Sequence, residues 1–173
     1  MPTLQEALGY ELAYPNPLQR LAQRGAATRM GAWTLSKTLQ PLDTATVRLT
    51  GGRHTVASLV AAVPVITLHT IGARSGVRRS NPLIGIPLDG TLGVIGTNYA
   101  QRATPGWVHN LRANPRAEIT YRTSTAPVLA RPAEHDEVEQ LFTRGAGLYP
   151  GFAAYRARIS SREIGVFVLD HAG

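Results

Sequence analysis

The sequence predicts an α+β fold: a mostly antiparallel sheet curled into a closed or partly closed barrel, with helices packed outside it. Three observations lead there. Short segments rich in Val, Ile, Thr or Tyr follow one another from residue 64 onward. Asp89-Gly90 joins two of them directly, a two-residue link that favours a hairpin turn with positive φ. Helical stretches interrupt these strands without the regular alternation of a parallel α/β sheet.

The elements follow in order. Residues 1–52 read as largely helical: residues 26–40 carry Met30, Trp33, Leu35 and Leu39 with few breakers, and Asp43 can cap a second short helix that ends at Gly51 and Gly52. Residues 53–173 supply the barrel. The two parts make one globular unit, because 173 residues with 43% hydrophobic content suit a single core. Strands are expected at 64–71, 80–88, 91–98, 116–122, 125–132 and 165–169, with Gly76 turning the loop between the first two. Thr104-Pro105 opens a helix that runs through Arg112, and Asn114-Pro115 stops it because a residue before proline avoids the helical region. A later helix spans about 132–144. Tyr149, Phe152 and Tyr155 then recur every third residue ahead of the last strand.

Composition removes several chemistries. The chain has no cysteine, which excludes disulfides, thiolate nucleophiles and zinc-thiolate sites. The histidines, at 54, 69, 109, 135 and 171, fall at no metal-like spacing, so no metal is expected. Residues 1–14 hold Glu6 and Glu11 and no Lys or Arg, unlike a secretory signal, and no run is apolar for the length of a membrane span; a cytoplasmic protein is expected.

Charge narrows the partner. Lys and Arg number 18 against 11 Asp and Glu, a net +7, and Lys37 is the only lysine. A field this positive, carried by planar guanidinium groups, suits a nucleic acid, a phosphorylated cofactor or an acidic membrane surface. No helix-turn-helix, zinc finger or exposed aromatic strand motif accompanies it, so nucleic acid is not expected. A peripheral membrane contact would use Leu18, Leu21, Met30, Trp33 and Leu35 against lipid and Arg20, Arg24 and Arg29 against anionic heads; the same apolar residues would equally cover the barrel.

The segment Gly72-Ala73-Arg74-Ser75-Gly76-Val77-Arg78-Arg79-Ser80-Asn81-Pro82-Leu83 is the richest in chemistry. Gly72 and Gly76 permit positive φ and close backbone approach, Ser75 adds a hydroxyl, and Arg74 and Arg79 can fork onto phosphate or carboxylate oxygens. An ordinary hairpin tip with solvated arginines accounts for the same residues. The spacing is neither that of a P-loop nor that of a dinucleotide-binding glycine run. A second segment, Gly96-Thr97-Asn98-Tyr99, leads through Pro105 to Trp107 and Asn110, which stand three residues apart and share one helical face. There the indole can pack on a ligand ring or on the core, and the amide can bond a ligand or a loop.

With the arginine turn followed by Pro82-Leu83 and then by the Trp-x-x-Asn-Leu-x-Ala-Asn-Pro run from Trp107, the sequence resembles the deazaflavin-dependent nitroreductase family over about residues 40–170. The resemblance implies a split β-barrel of the FMN-binding type that holds coenzyme F420. Arg74, Ser75 and Arg79, on the turn shaped by Gly72 and Gly76, would take its phosphate and oligoglutamate tail. Pro82 and Leu83 would wall the deazaflavin ring, backbone donors of Ile95, Gly96, Thr97 and Asn98 would meet its pyrimidine edge, and Trp107 with Asn110 would close the pocket.

The implied activity is hydride transfer from the reduced deazaflavin to a small-molecule electron acceptor such as a quinone or a nitro compound. Thr97, Tyr149 and Tyr155 are then the hydroxyl candidates for donating a proton or orienting the acceptor, Tyr155 first; a tyrosine stripe packed on the barrel is the other reading of the pair. The sequence departs from the family twice. Ala73 stands where relatives commonly carry a further basic residue, which predicts weaker hold on the tail, and Phe152 stands where the nitroimidazole-reducing relative has a third tyrosine. An FMN-binding split-barrel reductase and a non-catalytic cofactor- or anion-binding protein remain the alternatives.

Overall fold

The computed structural model describes residues 2–12 and 63–173. The helices expected at 26–40 and 43–52, and the membrane-facing residues named among them, lie outside the described residues. What is described of the first part is a short helix, α1 (Leu4–Leu8), set by a capping box between Thr3 and Glu6 and ended by Gly9 in the left-handed conformation.

After it come β1 (Val65–Ile71), β2 (Arg78–Ile84), β3 (Ile86–Leu88), β4 (Thr91–Ile95), a 3-10 turn at Asn98–Ala100, α2 (Gly106–Ala113), β5 (Arg116–Tyr121), β6 (Ser124–Pro132), α3 (His135–Leu148), α4 (Gly151–Arg158) and β7 (Val166–His171). Among the described residues the strands form one seven-stranded sheet in the order β2-β1-β5-β6-β7-β4-β3. Every pairing is antiparallel.

The order of the sheet dictates its shape. β2 and β3 occupy opposite edges, yet Gly85 alone joins them, so the sheet must curl until its edges meet. This is the split barrel. The seam is tight: Gly85 N–H bonds to Pro64 O at 3.0 Å, Tyr10 Oη donates to Gly85 O at 2.7 Å, and a Cβ on Gly85 would lie 3.1 Å from Ile66 Cγ2. The single strand expected at 80–88 is therefore two strands that change partners at a glycine.

Alternation along the strands buries both faces. Ile66 and Leu68 of β1, Leu92 and Val94 of β4, Ile119 of β5, Val128 of β6, and Phe167 and Leu169 of β7 meet inside the curl, together with Leu4, Leu8, Trp107, Val108 and Leu111. On the other face Ile86, Leu88, Ile95, Val166 and Val168 pack against Leu141, Phe142 and Leu148 of α3 and Phe152 and Tyr155 of α4. Each such aliphatic side chain contributes roughly 2 kcal/mol by leaving water. Asp89 and Gly90 take positive φ, 44° and 87°, as a hairpin link of two residues requires.

Three other boundaries differ from the sequence expectation. The strand expected at 91–98 stops at Ile95: Gly96 N–H still bonds Gly165 O at 2.8 Å in register with β7, and the chain then turns, with Thr97 N–H on Ile95 O and Asn98–Ala100 at positive φ. The helix expected from 132 starts at His135, where Glu134 and Glu137 form a capping box, and continues to Leu148. Tyr149 caps the end of α3 while Phe152 and Tyr155 sit on α4, so the three aromatics straddle a break beside Pro150 and do not form one helical stripe.

Candidate functional site

Four antiparallel pairings, β1–β5, β5–β6, β6–β7 and β7–β4, separate β1 from β4, so these two strands run in the same direction. The β1–β2 tip, which carries the arginine turn, and the chain leaving β4, which carries Gly96, Thr97 and Asn98, thus depart from the sheet on the same side. α2 bridges them. A Cβ on Gly96 would lie 2.9 Å from Val108 Cγ2 and 3.5 Å from Trp107, while Asn110, one turn further along, reaches the arginine turn.

The tip is built by backbone geometry. Gly72 N–H bonds to Val77 O at 2.9 Å and Gly76 N–H to Gly72 O at 2.8 Å, with Gly76 at φ 65°. A Cβ on Gly72 would stand 2.5 Å from Ser75 Oγ and 3.2 Å from Val77 O, so a side chain there would displace the Ser75 hydroxyl; of the two glycines only Gly76 takes positive φ. Ser75 Oγ accepts from Val77 N–H at 3.3 Å. Arg78 is committed to Glu118 at 2.6 Å, whereas Arg74 and Arg79 are exposed and, among the described residues, in no ion pair.

Asn110 is spent on the framework. Its Oδ1 accepts from Ala73 N–H at 3.0 Å, and its Nδ2 donates to Thr70 Oγ1 at 2.9 Å. Trp107 is buried in the interior cluster edge-on to Phe167, with ring centres 6.0 Å apart. Pro82 is exposed and Leu83 half-buried against the interior cluster. Ile95 and Thr97 are buried, and Asn98 Nδ2 donates to Ala103 O at 2.9 Å.

The turn after Thr97 is strained. Asn98, Tyr99 and Ala100 take φ of 47°, 52° and 60°, three consecutive side-chain-bearing residues in the left-handed region, at a cost of about 1 kcal/mol each. Arg162 holds the turn from outside, with Nη2 donating to Thr97 O at 2.9 Å and Nε to Gln101 O at 3.3 Å. Sequence reading had no signal for this residue, which lies 65 positions from its partner Thr97.

Among the described residues, Tyr155 is the largest fully buried side chain. Its hydroxyl shares a 3.0 Å hydrogen bond with that of Tyr149, and the Tyr99 ring meets its edge at 6.2 Å. Burial pushes both phenols above the usual range. Burial is the largest cause of the rise in each, and either hydroxyl can donate in the bond they share. His69 serves the outer face of the sheet, with Nδ1 against Ser80 Oγ at 2.8 Å and Nε2 against Thr120 Oγ1 at 3.0 Å.

A curled antiparallel sheet joined at Gly85, with a glycine-built arginine turn and a strained backbone loop on one side of it, defines a split-barrel protein with one polar end. The family model described as F420H(2)-dependent quinone reductase matches residues 40–171, and the chain belongs to that family. The F420H(2)-dependent quinone reductase of Mycobacterium tuberculosis strain H37Rv is 33% identical over 76 residues, 43% of this chain and 51% of the relative. The chain thus spans about half the length of the curated relatives it matches. Among solved structures, an F420-H2 dependent reductase superposes with a TM-score of 0.56 at 28% identity, over 62% of this chain and 94% of that one. A protein described as a domain-swapped dimer superposes with a TM-score of 0.58 at 27% identity, over 80% and 97% of the two chains.

Proposed function

We propose that this chain is an oxidoreductase that uses reduced coenzyme F420 to reduce an organic acceptor, a quinone before a nitro compound. The observation that carries the proposal is the placement of the arginine turn and the 95–98 segment on one side of the barrel, bridged by α2. The donor set suits the coenzyme: Arg74 and Arg79 have no ion-pair partner among the described residues, and they flank a turn whose Ser75 hydroxyl a Cβ at Gly72 would displace. When bound, coenzyme F420 supplies a hydride from C5 of its reduced deazaflavin ring.

The chain's own residues would then divide the work. Arg74, Arg79 and Ser75, on the turn bounded by Gly72 and Gly76, bind phosphate and carboxylate oxygens, and Asn110 keeps that turn at a set distance from α2. Pro82 and Leu83 face the ring, while the Ile95, Gly96, Thr97 and Asn98 segment lies toward its polar edge, with Trp107 supporting it from the interior. The Gly96 and Thr97 N–H groups are taken by Gly165 O and Ile95 O, which corrects the expectation that they donate to the ring and leaves the Asn98 N–H for it. A quinone that accepts hydride also needs a proton. Tyr155 and Tyr149 carry one each on hydroxyls that share a hydrogen bond, and Thr97 offers a third hydroxyl on the loop.

The experiment is a fluorescence titration of the purified protein with coenzyme F420, repeated at raised salt and with Arg74→Ala and Arg79→Ala. Binding that weakens in both variants and with salt supports the proposal. No binding, beside a clear response to FMN, overturns it in favour of a flavin enzyme; tight binding without turnover of any quinone or nitro acceptor leaves a carrier.

A quinone dissolved in lipid would suit a cytoplasmic protein that touches the membrane through Leu18, Leu21, Met30, Trp33 and Leu35, with Arg20, Arg24 and Arg29 at the headgroups. Among the described residues no helix is long and apolar enough to cross a membrane. Co-sedimentation with anionic liposomes, lost on deleting residues 1–40, is the expected result; co-sedimentation that survives the deletion removes the idea.

A further inference from the structure

Arg162 lies on the segment between α4 and β7, away from the arginine turn. Its guanidinium points at backbone carbonyls: Thr97 O at 2.9 Å, Gln101 O at 3.3 Å and Glu163 O at 3.2 Å. Among the described residues it is in no ion pair, in contrast to Arg112, which meets the Glu163 carboxylate at 3.4 Å. Two of its acceptors bracket the left-handed turn at Asn98–Ala100. Gly165, three residues further along, accepts the Gly96 N–H at 2.8 Å, so one short segment grips the loop at both ends.

We infer that Arg162 is a positioning residue that aims the Thr97–Asn98 peptide at the polar edge of the cofactor ring; the inference rests on the F420 reading above. The physical link is peptide planarity. Thr97 C=O and Asn98 N–H belong to one rigid trans unit and point in opposite directions, so fixing the oxygen on Arg162 fixes the N–H on the other side. Asn98 N–H has no hydrogen bond to the described residues and is left to a ligand. The charge on Arg162 also polarises that peptide, which makes the Asn98 N–H a stronger donor. The turn has bonds of its own, Ala100 N–H to Thr97 O and Gln101 N–H to Asn98 O at 2.9 Å each, so the guanidinium is a second, charged donor on Thr97 O that holds three left-handed residues in this arrangement.

The test uses two ligands, coenzyme F420 and a deazaflavin nucleoside that lacks the phosphate and glutamyl tail, titrated by fluorescence into wild type, Arg162→Gln, Arg162→Lys, Arg112→Gln and Arg74→Ala. Arg162→Gln is expected to weaken both ligands by a common factor of about tenfold, the scale of one charge-assisted hydrogen bond. Arg162→Lys should fall between, since an ammonium cannot span two carbonyls as the guanidinium fork does. Arg112→Gln should leave both affinities unchanged, and Arg74→Ala should weaken only the tailed ligand. Without ligand, amide hydrogen exchange at Ala100 and Gln101, whose N–H groups bond Thr97 O and Asn98 O, should rise in Arg162→Gln while the melting temperature stays near that of wild type. Affinity of Arg162→Gln, or of Arg162→Lys should the first not fold, equal to wild type for the tailless ligand overturns the inference. Wild type that binds neither ligand overturns the F420 reading itself, whatever the exchange data show.

Discussion

The side-chain oxygen of Asn110 accepts the backbone N–H of Ala73 at 3.0 Å, across 37 positions of sequence, and ties α2 to the arginine turn. The same amide donates to Thr70 Oγ1, itself almost wholly buried. Asn110→Ala would leave both groups without a partner, and is expected to cost about 2 kcal/mol of stability in urea denaturation. Because the turn would lose its tether, F420 affinity should fall as well. Affinity that stays at the wild-type level once the loss of stability is allowed for would show that the turn holds its shape unaided.

Tyr149 and Tyr155 sit on either side of the α3–α4 break and share one hydrogen bond in a buried space. Tyr155→Phe is expected to slow quinone reduction at least tenfold, the usual scale for loss of a proton donor, while F420 affinity stays the same. Full turnover would remove Tyr155 from that role. Tyr10, Tyr149 and Tyr155 all have pKa values raised by burial, so above pH 10 the unfolded chain ionises first and binds fewer protons than the folded one. Their contribution is complete below pH 10 and should be lost as pH climbs beyond it, seen as a falling melting temperature.

Glu137 answers to acid. Its carboxylate takes two bonds from Arg131, at 2.7 Å each, which hold its pKa down to about 2, and it caps the start of α3 through Glu134 N–H. A depressed pKa gives stability that is present above the ordinary carboxylate range and is lost as pH falls toward 2. Because Arg131 is 40% exposed, solvent screening reduces the effect to about 1 kcal/mol. The stability gap between wild type and Glu137→Gln, largest near neutrality, should close between pH 5 and 2. A gap independent of pH would assign the effect to the cap and not to the ion pair.

Gly93 faces Leu141 so closely that a Cβ there would overlap the leucine's methyl groups, and Leu141 is fully buried. Gly93→Ala is therefore expected to push α3 off β4 and cost about 2 kcal/mol, measured by thermal denaturation. Restoration by the double variant Gly93→Ala, Leu141→Val would identify the clash as the cause.

Much of this was legible locally. The strands at 64–71, 116–122 and 125–132 announce themselves by β-branched residues, and Asp89-Gly90 by the positive φ its turn requires. The arginine turn shows in Gly72 and Gly76, whose conformations depend on neighbours within five residues. Trp107 and Asn110 were placed on one helix by the proline that opens it, but their spacing could not say that the indole faces the interior and the amide the framework.

An antiparallel barrel, the arginine turn and the helix that follows it could be read from residues alone, because each depends on period, turn chemistry and charge within a few positions, and the split form of the barrel came with the family resemblance. Only the tertiary structure decided that Gly85 splits one strand into two edges, that the tyrosines meet across a helix break, and that Arg162 grips Thr97. These are contacts made by closing the sheet, and their partners are chosen by where the curl brings distant segments together, a relation that no local pattern of residues carries.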